Sequence, residues 1–146
     1  MANNELIADF QRMRQEVVQQ RGACLERIDK ARGILDAAND VLRVARDHEQ
    51  KAVYSDEEKQ AEIKRLIEHV NGLPNKPQVF LERISKLESE LPQTSALRKQ
   101  ASEIARLRQK QVQDATTLVE LAEIDLKAIE KNLADVDEQL RQNRGY

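Results

Sequence analysis

Phe10, Val17, Cys24, Ala31, Ala38 and Ala45 recur every seven residues, and Ile28, Leu35 and Leu42 fall four residues after Cys24, Ala31 and Ala38. Two interleaved series of this kind form the seam of a helix that packs lengthwise on another helix. The spacing predicts a first helix over 4–52. Arg14 and Arg21 interrupt its first half, so burial there is expected to move to a shifted stripe of Leu6, Met13 and Val18. Ser55 followed three residues later by Glu58 has the form of a capping box, in which each side chain satisfies an unpaired backbone N–H of the first turn. A second helix over 56–71 follows, with Ile63, Leu66, Ile67 and Val70 on one face and Gly72 as a left-handed terminator. Pro77 suits the first turn of a third helix over 77–91, whose apolar face is Phe80, Ile84, Leu87 and Leu91. Pro92 disfavours helical dihedrals at Leu91, and Thr94 or Ser95 offers a new N-cap, so a fourth helix is expected over 95–143. There Val112, Ala115, Val119, Ala122, Leu126, Ile129, Leu133, Val136 and Leu140 alternate three and four residues apart. Leu97, Ala101, Ile104 and Leu107 lie in another phase, which predicts a register shift near 108–111.

The first and fourth helices would each reach roughly 70 Å at about 1.5 Å per residue, and the two middle ones are much shorter. The lengths match in pairs. The expected fold is all-α: an elongated antiparallel coiled-coil hairpin with a short three- or four-helix bundle at one end, forming a single domain over 1–146. The stretch 70–80, VNGLPNKPQVF, then reads as a helix-terminating turn in which Leu73 and Val79 cover the end of the bundle; if Ser55 and Pro92 do not break the chain, the same turn is the tip of one very long hairpin.

Charge gives the pairing its direction. Residues 11–32 hold six basic side chains against Glu16, Glu26 and Asp29, whereas residues 114–138 hold eight acidic ones against Lys127 and Lys131. An antiparallel arrangement sets these opposite signs side by side, within one chain or between two copies; a parallel homodimer would stack like on like.

Composition agrees with narrow seams more than with a globular core. Aromatic residues are 3% and charged residues 34% of the chain, with no Trp. Such a balance also marks disordered segments, and the periodicity is what argues against disorder. A net charge of −2 shows no excess that would advertise nucleic acid or an anionic membrane. The N-terminal MANNELIADF has neither a basic n-region nor an apolar h-region, and no window approaches 18 apolar residues, so neither secretion by a classical signal nor membrane insertion is expected. Cytoplasmic localisation is the resulting expectation.

Little chemistry is visible. His48 stands in HEQKA, which lacks the second His of a zinc-binding H-E-x-x-H helix; with His69 and Cys24 the only other soft ligands, no metal site is expected. Cys24 lies on the seam and reads as a small hydrophobe. No triad signature or phosphate-cradling glycine loop occurs, so no catalytic residues and no cofactor are assigned, and the chain is read as non-enzymatic. Residues 98–110, RKQASEIARLRQK, carry five basic side chains against one Glu, but no aromatic residue interleaves to stack bases, which disfavours nucleic acid.

The segment FLERISKLESELPQTSALRKQASEIARLRQKQ places Leu87, Leu91 and Pro92 at the end of a short helix and Ala105, Arg106 and Leu107 inside a long one. Over roughly residues 80–140 this layout resembles the smallest shoulder subunit, the light-chain subunit, of dynactin. The resemblance implies a structural coiled-coil subunit of the dynein and microtubule motor machinery, associated with the cytoskeleton, with no catalytic residue to transfer. A weaker resemblance is to stalk proteins of bacterial type III and flagellar export, and a nucleic-acid-associated helical protein is the remaining alternative. The common reading is an assembly protein whose partners are other long-helix subunits, in a hetero- or homo-oligomer. Its candidate partner-binding residues are Leu25, Ile34 and Val41 on the first helix and Leu97, Ile104 and Leu107 on the fourth.

Overall fold

The structure, a computed structural model, describes residues 2–144, with the side-chain surroundings of residues 4–144. It is all-α: α1 (Ala2–Asn71) and α2 (Gln78–Asn143) are joined by a short turn, and no strand occurs among the described residues. Packing divides into two units, residues 1–38 with 112–146 and residues 39–111.

The helix breaks expected at Ser55 and Pro92 do not occur, and with them the three- or four-helix bundle disappears: the first and second expected helices are one, and so are the third and fourth. The reason lies in the seam. On α1 the less exposed positions continue from Ala45 through Glu49, Ala52, Asp56, Lys59, Ile63 and Leu66 to Val70 in unbroken steps of four and three. Ser55 sits exposed beside that line, and capping there would leave the residues on either side without a common face. On α2 the same alternation passes from Phe80, Ile84, Leu87 and Leu91 to Thr94, Arg98 and Ala101. Pro92 lies inside the helix and exposed to solvent, where the carbonyl it leaves unbonded can reach water. Tertiary burial on both sides outweighs the local preference to stop. Replacing Pro92 with Ala is accordingly expected to raise the unfolding free energy by on the order of 2 kcal/mol, read from urea titrations followed by circular dichroism.

The two expected phase shifts are absent for the same reason. Arg14 and Arg21 occupy the seam of α1 themselves, and Leu6, Met13 and Val18 are exposed. Arg98, Ala101, Ala105 and Arg108 carry the seam of α2 into Val112, while Leu97, Ile104 and Leu107 stand outside it. Long arginine side chains can hold seam positions because their methylene stems pack while the guanidinium reaches the surface.

In the first unit the two helix segments run antiparallel. Cys24, Ile28 and Ala122 form its buried centre, with Leu126 and Ile129 packed on them. The Cys24 thiol, fully buried, donates to the Ala122 carbonyl at 3.4 Å. Across the pair Arg14 meets Asp137 at 2.7 Å, Arg21 meets Glu130 at 3.5 Å, Arg27 meets Asp125 at 3.6 Å and Arg32 meets Glu123 at 3.1 Å. These are the opposite-signed segments of the sequence laid together. All four pairs are half exposed, so they select orientation more than they stabilise.

The second unit is a helical hairpin. Leu42, Ala45, Ile63, Val70, Leu87 and Ala105 are its buried apolar residues. At its turn Gly72 does not take the left-handed conformation expected of it; the Gly72 and Leu73 N–H groups donate to the His69 and Val70 carbonyls at 3.2 and 3.1 Å, tightening the last turn of α1. Pro77 accepts the first bond of α2, from the Leu81 N–H at 3.3 Å. Leu73 is half-buried, but Val79 is exposed, and Phe80 instead meets His69 edge to face, with ring centroids 5.3 Å apart.

Candidate partner-binding faces

With the repeat lettered so that Ile28 is a and Cys24 is d on α1, and Val119 is a and Ala122 is d on α2, every flank position has a defined side. At about 100° per residue, g and c lie on one side of the seam and e on the other. In an antiparallel pair g faces g and e faces e.

In the first unit the g and c side carries Ile34 on α1 with Leu118 and Leu121 on α2, all exposed, Ile34 at 56%. They line an open groove of about 410 Å³ together with Ala31 and Ala122, and Arg27, Lys30 and Asp125 bound it. The groove exists because the seam residues at its floor are alanines, too short to fill the space between helices whose flanking side chains are large. The e side carries the Arg32–Glu123 pair, with Val18 and Leu25 of α1 exposed beside it.

In the second unit the same side carries Val41 and Val44 on α1 and Leu97, Ile104 and Leu107 on α2. Two open grooves form there, about 370 Å³ around Val41, Val44, His48 and Ile104, and about 320 Å³ around Ala52, Leu97, Gln100 and Ile104. Ala45, Ala101 and Ala105 again supply the small seam residues.

Of the six residues expected to bind a partner, the structure therefore leaves all six uncovered but does not group them as expected. Ile34 and Val41 are seven residues apart and hold the same g position, one in each unit. Leu25 is nine residues before Ile34, which turns it to the opposite side of α1, so a single stripe of Leu25, Ile34 and Val41 does not exist. Leu97 and Ile104 share the g position and Leu107 lies next to them at c, so these three stay together. Val44 in the second unit, and Leu118 and Leu121 in the first, also hold g or c positions and were not singled out from sequence. Their signal was present: large aliphatic residues immediately flanking alanine seam positions.

The second unit also contains a polar layer. Asp56 is 2% exposed and Thr94 is buried. Asp56 accepts hydrogen bonds from Ser95 at 2.8 Å, Arg98 at 3.1 Å and Gln60 at 3.1 Å, and Lys59 donates to Thr94 at 2.8 Å. The Ser95 hydrogen bond is the largest influence holding the Asp56 carboxyl below its ordinary value; burial pulls the other way and Arg98 adds to the lowering. No side-chain polar atom in the described residues is buried without a partner.

The basic stretch 98–110 is partly spent on this chain's own acids: Arg98 meets Asp56 and Glu57, and Arg106 meets Glu103. His48 is exposed in the second unit's groove, and no group of three His, Cys, Asp or Glu side chains gathers as metal ligands among the described residues. Among the same residues no helix is long and apolar enough to cross a membrane. Comparison of the chain with protein-family models, with curated proteins and with solved structures finds no match.

Proposed function

We propose that the protein is a non-enzymatic assembly subunit that works as a coiled coil, packing one side of its helix pair against long helices of other subunits. One observation carries this reading. In each unit, separately, large aliphatic side chains stand uncovered at g and c while alanines occupy the seam between them, so helix surface of the kind that another helix covers is left open. The dynactin-shoulder form of the proposal rests on residues 80–140 alone.

The test is in-cell cross-linking of the native protein with mass spectrometry, set beside the same experiment on Ile104→Glu. Ile104 is 43% exposed, so the substitution is expected to leave the fold intact by circular dichroism while removing cross-links that map to the g and c side of the second unit. Cross-links that instead map to the e side, or cross-links to the second unit's g and c side that survive the substitution, would reject the reading.

A further inference from the structure

We infer that the groove of the first unit is covered by a second copy of this chain, related by a two-fold axis parallel to the helices. The inference rests on the assembly reading above and names its partner. Its basis is the distribution of charge along the groove. Between positions 20 and 37 every charged g or c residue of α1 is basic, namely Arg27 and Lys30; over the facing part of α2, positions 118–132, the one charged g or c residue is acidic, Asp125. Ile34, Leu118 and Leu121 lie between these two rims. One edge of the patch is thus positive and the other negative, with aliphatic side chains in the middle, which is what a surface that pairs with itself requires.

Symmetry then chooses among arrangements. A two-fold axis perpendicular to the helices would set α1 on α1 and α2 on α2, bringing like rims together. An axis parallel to them sets α1 of each copy on α2 of the other, so that every neighbouring pair in the resulting four-helix layer is antiparallel and, at the groove, Arg27 and Lys30 of each copy face Asp125 of the other. At the level of Arg27 and Asp125, which already meet within one chain at 3.6 Å, the two copies form a square of alternating charges. Lys30, one turn from Arg27 on the same rim, comes within reach of Asp125 of the facing copy. The groove of the second unit lacks this signature: its g and c positions hold His48, Gln100 and Gln111 beside the aliphatic residues, and nothing there identifies an occupant.

Sedimentation equilibrium on the full chain, whose single-copy mass is 16.8 kDa, is the experiment. The wild type is expected at twice that mass, with a dissociation constant that rises several-fold from low to high salt as the rims are screened. Leu121→Glu, at an exposed position, is expected to remain folded by circular dichroism and to run at the mass of one copy. Two charge-reversed variants make the test specific. Arg27→Glu with Lys30→Glu, and Asp125→Lys, should each fail to self-associate, yet a mixture of the two should recover the two-copy mass, because both inter-copy faces then pair opposite signs. A wild type that stays at one copy, or a two-copy species indifferent to Leu121→Glu, overturns the inference. A single-copy wild type whose g and c side is nevertheless cross-linked to another protein in cells removes only the second copy and leaves the assembly reading standing.

Discussion

Leu87→Ala is expected to lower the unfolding free energy by about 2–5 kcal/mol, more than any other single truncation of an apolar side chain in the second unit. Leu87 is 2% exposed and is the largest fully buried side chain of the described residues. The cost has two parts: the lost transfer of three carbons out of water, and the cavity that remains. The cavity part is large here because α2 is fixed on both sides of Leu87, by Ile84 before it and by Thr94 after it, so the helix cannot close in at one point. The measurement is a urea midpoint at fixed protein concentration, since association adds its own stabilisation. Leu97→Ala, at an exposed position on the same helix, serves as the reference and should shift the midpoint little. Equal effects at the two positions would mean that the seam is not where the structure puts it.

The second large effect is expected at Asp56, and it has a pH signature. Asp56→Ala leaves the Ser95 hydroxyl and the Arg98 guanidinium facing an apolar methyl group, so the thermal midpoint should fall by several degrees, more than for removal of an exposed acid such as Asp9. The double replacement Asp56→Leu with Arg98→Leu should recover most of the loss, because breaking a buried polar contact costs more than never having it. For the wild type, the folded-state pKa of Asp56 lies below its ordinary value of 3.8, so the folded chain binds this proton less readily than the unfolded one. The contribution is therefore complete above the ordinary value and declines as pH falls through the folded value beneath it. The exposed Glu103 and Glu138 carboxyls, beside Arg106 and Arg141, are lowered in the same way, but water screens them. The checkable outcome is that the wild-type midpoint falls more steeply on acidification than that of the double variant. Parallel profiles would show that the layer is not coupled to folding.

A polar layer in an otherwise apolar seam also explains why the second unit was harder to read. Asp56 and Lys59 stand where an apolar pattern wants a leucine, so the periodicity looked broken between Ala52 and Ile63, and Ser55 with Glu58 supplied a plausible place to restart a helix. Arg98 and Arg108 had the same effect on α2, making Leu97, Ile104 and Leu107 look like a seam in a new phase. In both places the steps of three and four continue, occupied by residues whose polar ends find partners only across the helix pair. The first unit's continuous run from Val112 to Leu140 needed no such help and was legible at once.

The helical state, the direction of pairing and the position of the turn followed from local propensity, from apolar spacing and from the sign of charge along two segments, all of which are properties of neighbouring residues in one chain. Whether a helix passes through Ser55 and Pro92, and which of two possible stripes is buried, were decided by tertiary packing. Each depends on how much side-chain surface a second helix covers, and that outweighs one unmade backbone bond or one capping hydroxyl. The uncovered side at Ile34, Leu118 and Leu121 belongs to both: its residues are plain in the sequence, but only the packed pair shows that the first partner helix leaves them bare.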